Sequence, residues 1–249
     1  YGSESYRRDI LRFPLNPLGD FQHSGMRNKN TLRLCLLGGL LFCGFLNAGN
    51  IQLQPENTNA GYLARLLINE TPFPGEKGWV SVADSEATMS SILWVLNSRI
   101  RYVPPGYRQT ELTTVKTSNI FDVITAGGVH GQVEGFYRDS SGKLATVPRV
   151  EERVKYLCKI GGSGPPGKFA HLLNYAQKLA NSYLATDIST RDLFVNLQVI
   201  SATAVTGRAY SWMTDAHHYN PGGDYIRIPD SDRGSLGGNR FFTLKNRSE

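Results

Sequence analysis

Cysteine is scarce in these 249 residues: there are three, and no two form a Cys-x-x-Cys pair. That argues against a paired-cysteine zinc site and against the disulfide framework that holds many small secreted domains. Other signatures are missing too. No His-Glu-x-x-His run offers zinc a helix face, no Gly-x-Ser-x-Gly elbow presents a serine, and no glycine-rich loop ends in Gly-Lys-Ser/Thr. The glycine-rich break at 161–167 therefore reads as a turn. No apolar run reaches the roughly 20 residues that a membrane-spanning helix needs. Charge of one sign is in small excess, 27 Lys+Arg against 21 Asp+Glu, without the basic stripe and interleaved aromatics of a nucleic-acid binder. What is present is an ordinary globular balance, 40% hydrophobic and 19% charged, sufficient for a core without staples.

The first fifty residues carry an export pattern. Met26 opens a basic stretch with Arg27, Lys29 and Arg33, followed by an apolar run, 34–46, built only of Leu, Cys, Gly and Phe. Small or polar residues follow at Asn47, Ala48 and Gly49. Basic, apolar, small is the order of a secretory signal, so residues 26–48 are expected to be a signal peptide. Contact with a membrane is expected only through that transient segment, and the destination is the periplasm, cell wall or extracellular space. Residues 1–25 precede the candidate start methionine and are read as upstream, untranslated or disordered sequence. Cys35 and Cys43 fall in the signal, and Cys158 is read as a small core residue at helical spacing with Val154 and Leu157. The first 48 residues hold six Lys+Arg and three Asp+Glu, leaving 21 basic and 18 acidic residues beyond them. A mild positive balance suits an anionic polymer.

Beyond a short polar linker at 49–58, periodicity predicts helices over 60–69, 85–100, 118–126, 150–160, 169–184 and 190–200. Thr117 or Ser118 is the expected cap of the third, and Ser189 that of the last. The stretch 129–146 reads as a loop or hairpin. The tail, 203–244, is rich in Gly, Tyr and Asp, with β-prone pieces at 225–228 and 240–244. The expected fold class is mainly α (α+β), one domain over 59–249 with a small loop- or β-rich C-terminal portion.

The sharpest chemical candidate is Glu70, in Leu66-Leu67-Ile68-Asn69-Glu70-Thr71-Pro72. A carboxylate at a helix C-terminus faces the negative end of the dipole, which disfavours ionisation. Apolar neighbours would raise its pKa further and fit it to donate a proton to a leaving oxygen. Asp215, His217 and His218 offer a competing metal site, but adjacent histidines on a strand point to opposite faces. Neither a metal nor an organic cofactor is expected. Tyr210, Trp212, Tyr219 and Tyr225 could stack on sugar rings or serve as ordinary core aromatics.

Taken in order, these segments resemble one family. Ala64-Arg65-Leu66-Leu67-Ile68-Asn69-Glu70, then Val95-Leu96-Asn97 with Ser98 inserted before Arg99, are similar to the spore-cortex-lytic (SleB-type) cell-wall hydrolases. In that family a helix ends in the catalytic glutamate and the next closes in an aliphatic-Leu-Asn-Arg run. Asn119–Ile124 and Gly131-Gln132 look like its cleft-lining stretch, Ala216–Pro221 like its aromatic-Asn-Pro segment, and Gly238–Phe242 like its closing motif. Thr-Pro-Phe-Pro after Glu70 and Asn239 at the closing histidine depart from it, marking a divergent member. The resemblance implies a lysozyme-like fold and cleavage of the β-1,4 bond between N-acetylmuramic acid and N-acetylglucosamine in peptidoglycan. It implies one glutamate, Glu70, acting as acid and then base, as a lytic transglycosylase whose sugar closes an anhydro ring or as a muramidase; which of the two products forms is not legible. Gln132, Tyr219 and Asn220 are the implied substrate contacts, and Glu134 is the first candidate for any second carboxylate. A secreted glycan-binding module that no longer cuts stays open beside the enzyme. The oligomeric state is not legible.

Overall fold

Thr58 begins the helical body: its backbone is extended and its hydroxyl accepts the N–H of Gly61 at 3.0 Å, capping α1 (Asn59–Asn69). The computed structural model of the protein describes residues 51–187, 191–199, 204–214, 221–228 and 238–247. The segments read as upstream sequence (1–25) and signal (26–48) lie outside them. In α1 every residue from Gly61 to Ile68 is buried, as befits a helix surrounded by others rather than one lying on a surface. It packs against α2 (Val82–Arg101), α5 (Pro148–Gly162) and α6 (Lys168–Ala185). Gly61 is what lets the chain fold back so tightly, because a Cβ there would stand 2.0 Å from the carbonyl of Pro55. Sealing each large side chain of α1 contributes about 1.5–3 kcal/mol.

The residues before α1 do not hang free. Gln52 N–H donates to Asn174 Oδ1 and Gln54 N–H to Gln177 Oε1, both at 2.8 Å, and Gln54 Nε2 reaches Asn181 at 3.2 Å. The segment read as a polar linker thus lies along α6 from residue 51 onward, with Ile51 and Leu53 packed on the core. Arg65 ties the same region together. It donates to Gln54 O and Gly61 O and pairs with Glu151 of α5 at 2.7 Å.

Ser81 caps α2 by accepting the N–H of Asp84 at 3.1 Å, and Met89, Ile92, Leu93, Trp94, Val95 and Leu96 form its buried body. A short helix, α3 (Gln109–Thr113), follows without a periodic signal in the sequence. The helix expected at 118–126 is α4 (Ile120–Thr125). Its cap is Asn119, whose side chain accepts the N–H of Phe121 at 2.9 Å, rather than Thr117 or Ser118. The expected hairpin is β1 (Phe136–Arg138) paired antiparallel with β2 (Leu144–Thr146).

The helix expected over 190–200 is not formed: residues 191–199 make turns. Asp192 explains this. Its Oδ1 accepts the N–H of Phe194 at 2.9 Å, closing a local turn, while Oδ2 takes Nη1 of Arg208 at 2.7 Å. Val199 N–H then goes to Gly207 O at 2.9 Å. Backbone donors spent this way cannot build a helix ladder. Ser189, its expected cap, lies outside the described residues.

The C-terminal part forms an antiparallel sheet in the order β3 (Ser211–Thr214), β5 (Asn239–Leu244), β4 (Tyr225–Arg227). Central β5 is buried along almost its whole length. Trp212 on β3 pairs across from Phe241 on β5, and this sheet packs beside the C-terminal end of α2. The architecture is mixed α+β and dominated by helix.

Candidate active site

Glu70 is the C-cap residue of α1, its N–H donated to Leu66 O at 3.0 Å. Two groups from distant parts of the chain fix this helix end. Arg153 of α5 donates to the carbonyls of Ile68 and, at 3.0 Å, of Thr71, which frame Glu70 on either side. Its guanidinium also pairs with Glu76 and stacks over Phe73. Asn239, at the start of β5, donates its side-chain amide to the carbonyl of Glu70 itself at 2.8 Å. Carbonyls left open by the end of α1 are thereby satisfied from outside the helix.

Glu70 as a residue is partly buried. Asn69 Nδ2 donates to Oε1 and the indole Nε1 of Trp212 donates to Oε2, each at 3.1 Å. Desolvation dominates its electrostatics and pushes the carboxyl above the ordinary carboxylate range. The Trp212 and Asn69 hydrogen bonds and the charges of Arg153 and Arg149 oppose that rise without cancelling it. Its place at the negative end of α1 acts in the same direction as burial.

Behind Trp212 stands Arg99, in the last turn of α2 and only 6% exposed. Its guanidinium carbon lies 5.5 Å from the indole centroid. Nε donates to Tyr210 O at 2.7 Å and Nη1 to Gln132 Oε1 at 2.9 Å. Among the described residues no carboxylate pairs with it. Burial without a counter-charge lowers its pKa, and the negative end of α2 is the partial compensation.

The structure therefore joins Glu70 and Gln132 through Trp212 and Arg99, four residues from four separate segments. Gln132 is set by its neighbour. A Cβ at Gly131 would fall 1.9 Å from Ala126 O, so glycine lets the chain close and Gln132 N–H reach that same carbonyl at 2.8 Å. Glu134 stands apart on the surface, ion-paired with Arg149 at 2.8 Å. Tyr219 and Asn220 lie outside the described residues, as do Asp215, His217 and His218. Tyr210 is not available to a sugar: it is 1% exposed, sealed with Leu112 and Leu244, and donates its hydroxyl to Tyr102 O at 2.6 Å. Burial pushes its phenol up to about 12. Cys158, partly buried on α5, packs against the core.

Among the described residues no three His, Cys, Asp or Glu side chains cluster to hold a metal. A cavity of about 740 Å³ opens elsewhere, lined by Val82, Lys168, His171, Tyr175 and Lys178 among others, and none of the partners of Glu70 lines it.

The residues that sequence reading did not assign to Glu70 are Trp212, Asn239 and Arg153. Trp212 was read only as a sugar-stacking or core aromatic, and Asn239 only as a departure from a family motif. They lie 142 and 169 positions along the chain from Glu70, and strand pairing brings them to it. No protein-family model, no curated protein and no solved structure matches the chain.

Proposed function

We propose that the chain is an exported enzyme that cuts the glycan strands of peptidoglycan, with Glu70 as its acid and then its base, on a lysozyme-like fold. One observation carries the reading. Glu70 ends a buried helix with its carboxyl desolvated above the ordinary range, yet keeps part of its surface open. A carboxyl in that state holds its proton to higher pH than an exposed one does and can deliver it. The resemblance to the spore-cortex-lytic family supplies the substrate, and the link from Glu70 to Gln132 supports it.

The one-glutamate chemistry that the resemblance implies asks for no second carboxylate. Glu70 gives its proton to the bridging oxygen as the glycosidic bond breaks, and the bonding pair leaves with that oxygen. A hydroxyl of the same muramoyl residue then bonds to the anomeric carbon and returns its proton to Glu70. Protons balance, no water is consumed, and neither metal nor organic cofactor is required.

Glu70→Gln keeps size and polarity but delivers no proton. Release of fragments from purified cell walls should fall about 10²–10⁴-fold while binding to insoluble wall persists. Wild-type products should carry anhydro ends, one water lighter than reducing ends by mass spectrometry. Reducing ends would make the enzyme a hydrolytic muramidase. A Glu70→Gln variant that digests walls at the wild-type rate would sink the assignment. Binding without cutting by either form would turn the reading to a glycan-binding module.

A further inference from the structure

The partners of the Glu70 carboxyl differ in what they are able to do. Trp212 Nε1 carries a hydrogen and no free lone pair, so toward Oε2, 3.1 Å away, it only donates. Asn69, 3.1 Å from Oε1, presents an amide with donors at one end and an acceptor at the other. Half a turn of that amide exchanges the two. A neutral carboxyl has one carbonyl oxygen that accepts and one hydroxyl oxygen that donates. The site offers a fixed donor on one side and a convertible partner on the other.

We propose that Trp212 keeps Oε2 as the permanent acceptor, that the exchangeable proton resides on Oε1, and that Asn69 follows the proton by turning its amide. With Glu70 ionised, Asn69 Nδ2 donates to Oε1, the arrangement in the structure. With Glu70 neutral, the Oε1 hydroxyl donates to Asn69 Oδ1. Trp212 donates to Oε2 in both states. Trp212 is thus a positioning residue: it decides which oxygen delivers the proton and receives it back.

The indole is braced for this. Arg99 stacks on its face, and Arg99 is itself pinned by Tyr210 O and Gln132 Oε1. A cation over the ring draws electron density from it and makes its N–H a stronger donor. The other charges acting on Glu70 are Arg153, ion-paired with Glu76, and Arg149, ion-paired with Glu134. Both sit on α5, and neither hydrogen-bonds a carboxyl oxygen of Glu70. They shift the balance between acid and carboxylate without choosing an oxygen.

This placement rests on Glu70 being the acid proposed above, but its test does not need a wall to be cut. Acid-minus-neutral infrared difference spectra of the full chain, wild type against Glu70→Gln, isolate the C=O stretch of the neutral Glu70 carboxyl. In Trp212→Phe that stretch should move to higher frequency, because the carbonyl oxygen loses its donor. Asn69→Leu should move it distinctly less. Equal shifts, or the larger one with Asn69→Leu, would overturn the proposal. If Trp212→Phe does not fold, Asn69→Leu and Asn69→Ser decide alone: a stretch within a few wavenumbers of wild type supports the placement, and a clear rise overturns it. On walls, Trp212→Phe should shift the basic limb of the pH–rate profile upward, since the ionised form loses a stabilising donor. Asn69→Ser, whose hydroxyl both donates and accepts, should keep activity within several-fold, while Asn69→Leu should lose tenfold or more. Loss of the infrared pattern with walls still cut would reject the placement alone. The pattern without cutting would reject the proposed substrate alone.

Discussion

The side-chain amide of Asn239 donates to the main-chain carbonyl of Glu70 at 2.8 Å, joining the start of the central strand to the end of the central helix. Asn239 is 1% exposed. Asn239→Ala would leave a carbonyl without its donor at the one residue whose placement matters most. Unfolding in urea should register a loss of about 1–3 kcal/mol, and wall cleavage should fall more steeply than substrate binding. Unchanged stability would mean that water takes the place of the amide.

Glu70 also has a signature in stability against pH. Its folded pKa is raised, so between the ordinary carboxylate value and the folded value the native state holds more protons than the unfolded chain. Stability from this group is present at low pH and is lost as pH rises through that window. Glu70→Gln removes the dependence. The variant should match wild type in acid and exceed it at neutral pH, as followed by denaturation midpoints across the range. A variant less stable than wild type at neutral pH would show that ionised Glu70 is well solvated.

Arg65 and Glu151, with side chains 10% and 16% exposed, form an enclosed ion pair between α1 and α5. Arg65→Ala would strand Glu151 and release the carbonyls of Gln54 and Gly61. The cost should be about 3–5 kcal/mol. In a double-mutant cycle with Glu151→Ala, the second change should cost far less in the Arg65→Ala background than alone. Additive losses would place the value of Arg65 in its carbonyl contacts.

On the proposed mechanism wall cleavage should survive a chelator, because proton transfer by Glu70 and closure of the sugar ring would need no Lewis acid. Loss on chelation with recovery by zinc would bring Asp215, His217 and His218 forward instead.

The helical frame was legible because its signals are local. Apolar spacing in α1 and α2 and the turn residues that bound them act within a few positions, and Glu70 at the end of α1 followed from them directly. The misread helix over 190–200 failed for a tertiary reason: the carboxylate of Asp192 is claimed by Arg208, sixteen residues on. Gln132 was reached through a resemblance, and its link to Glu70 through Trp212 and Arg99 was invisible because no spacing rule spans β3, α2 and α1. Periodicity reports which face of an element is buried, and not which distant polar group that burial brings alongside.

The amides that hold residues 52 and 54 have a mechanical meaning. Asn174, Gln177 and Asn181 are spaced three and four apart, so they form a stripe down α6, and the extended segment runs beside it in the same direction. Tension applied at residue 51 along that direction loads the bonds together, in shear, instead of peeling them singly. The force passes into α6, the longer helix, through these bonds and into α1 through the bond from Arg65 to Gln54 O. A pull on residue 51 is therefore shared between two helices instead of falling on the one that carries Glu70 alone.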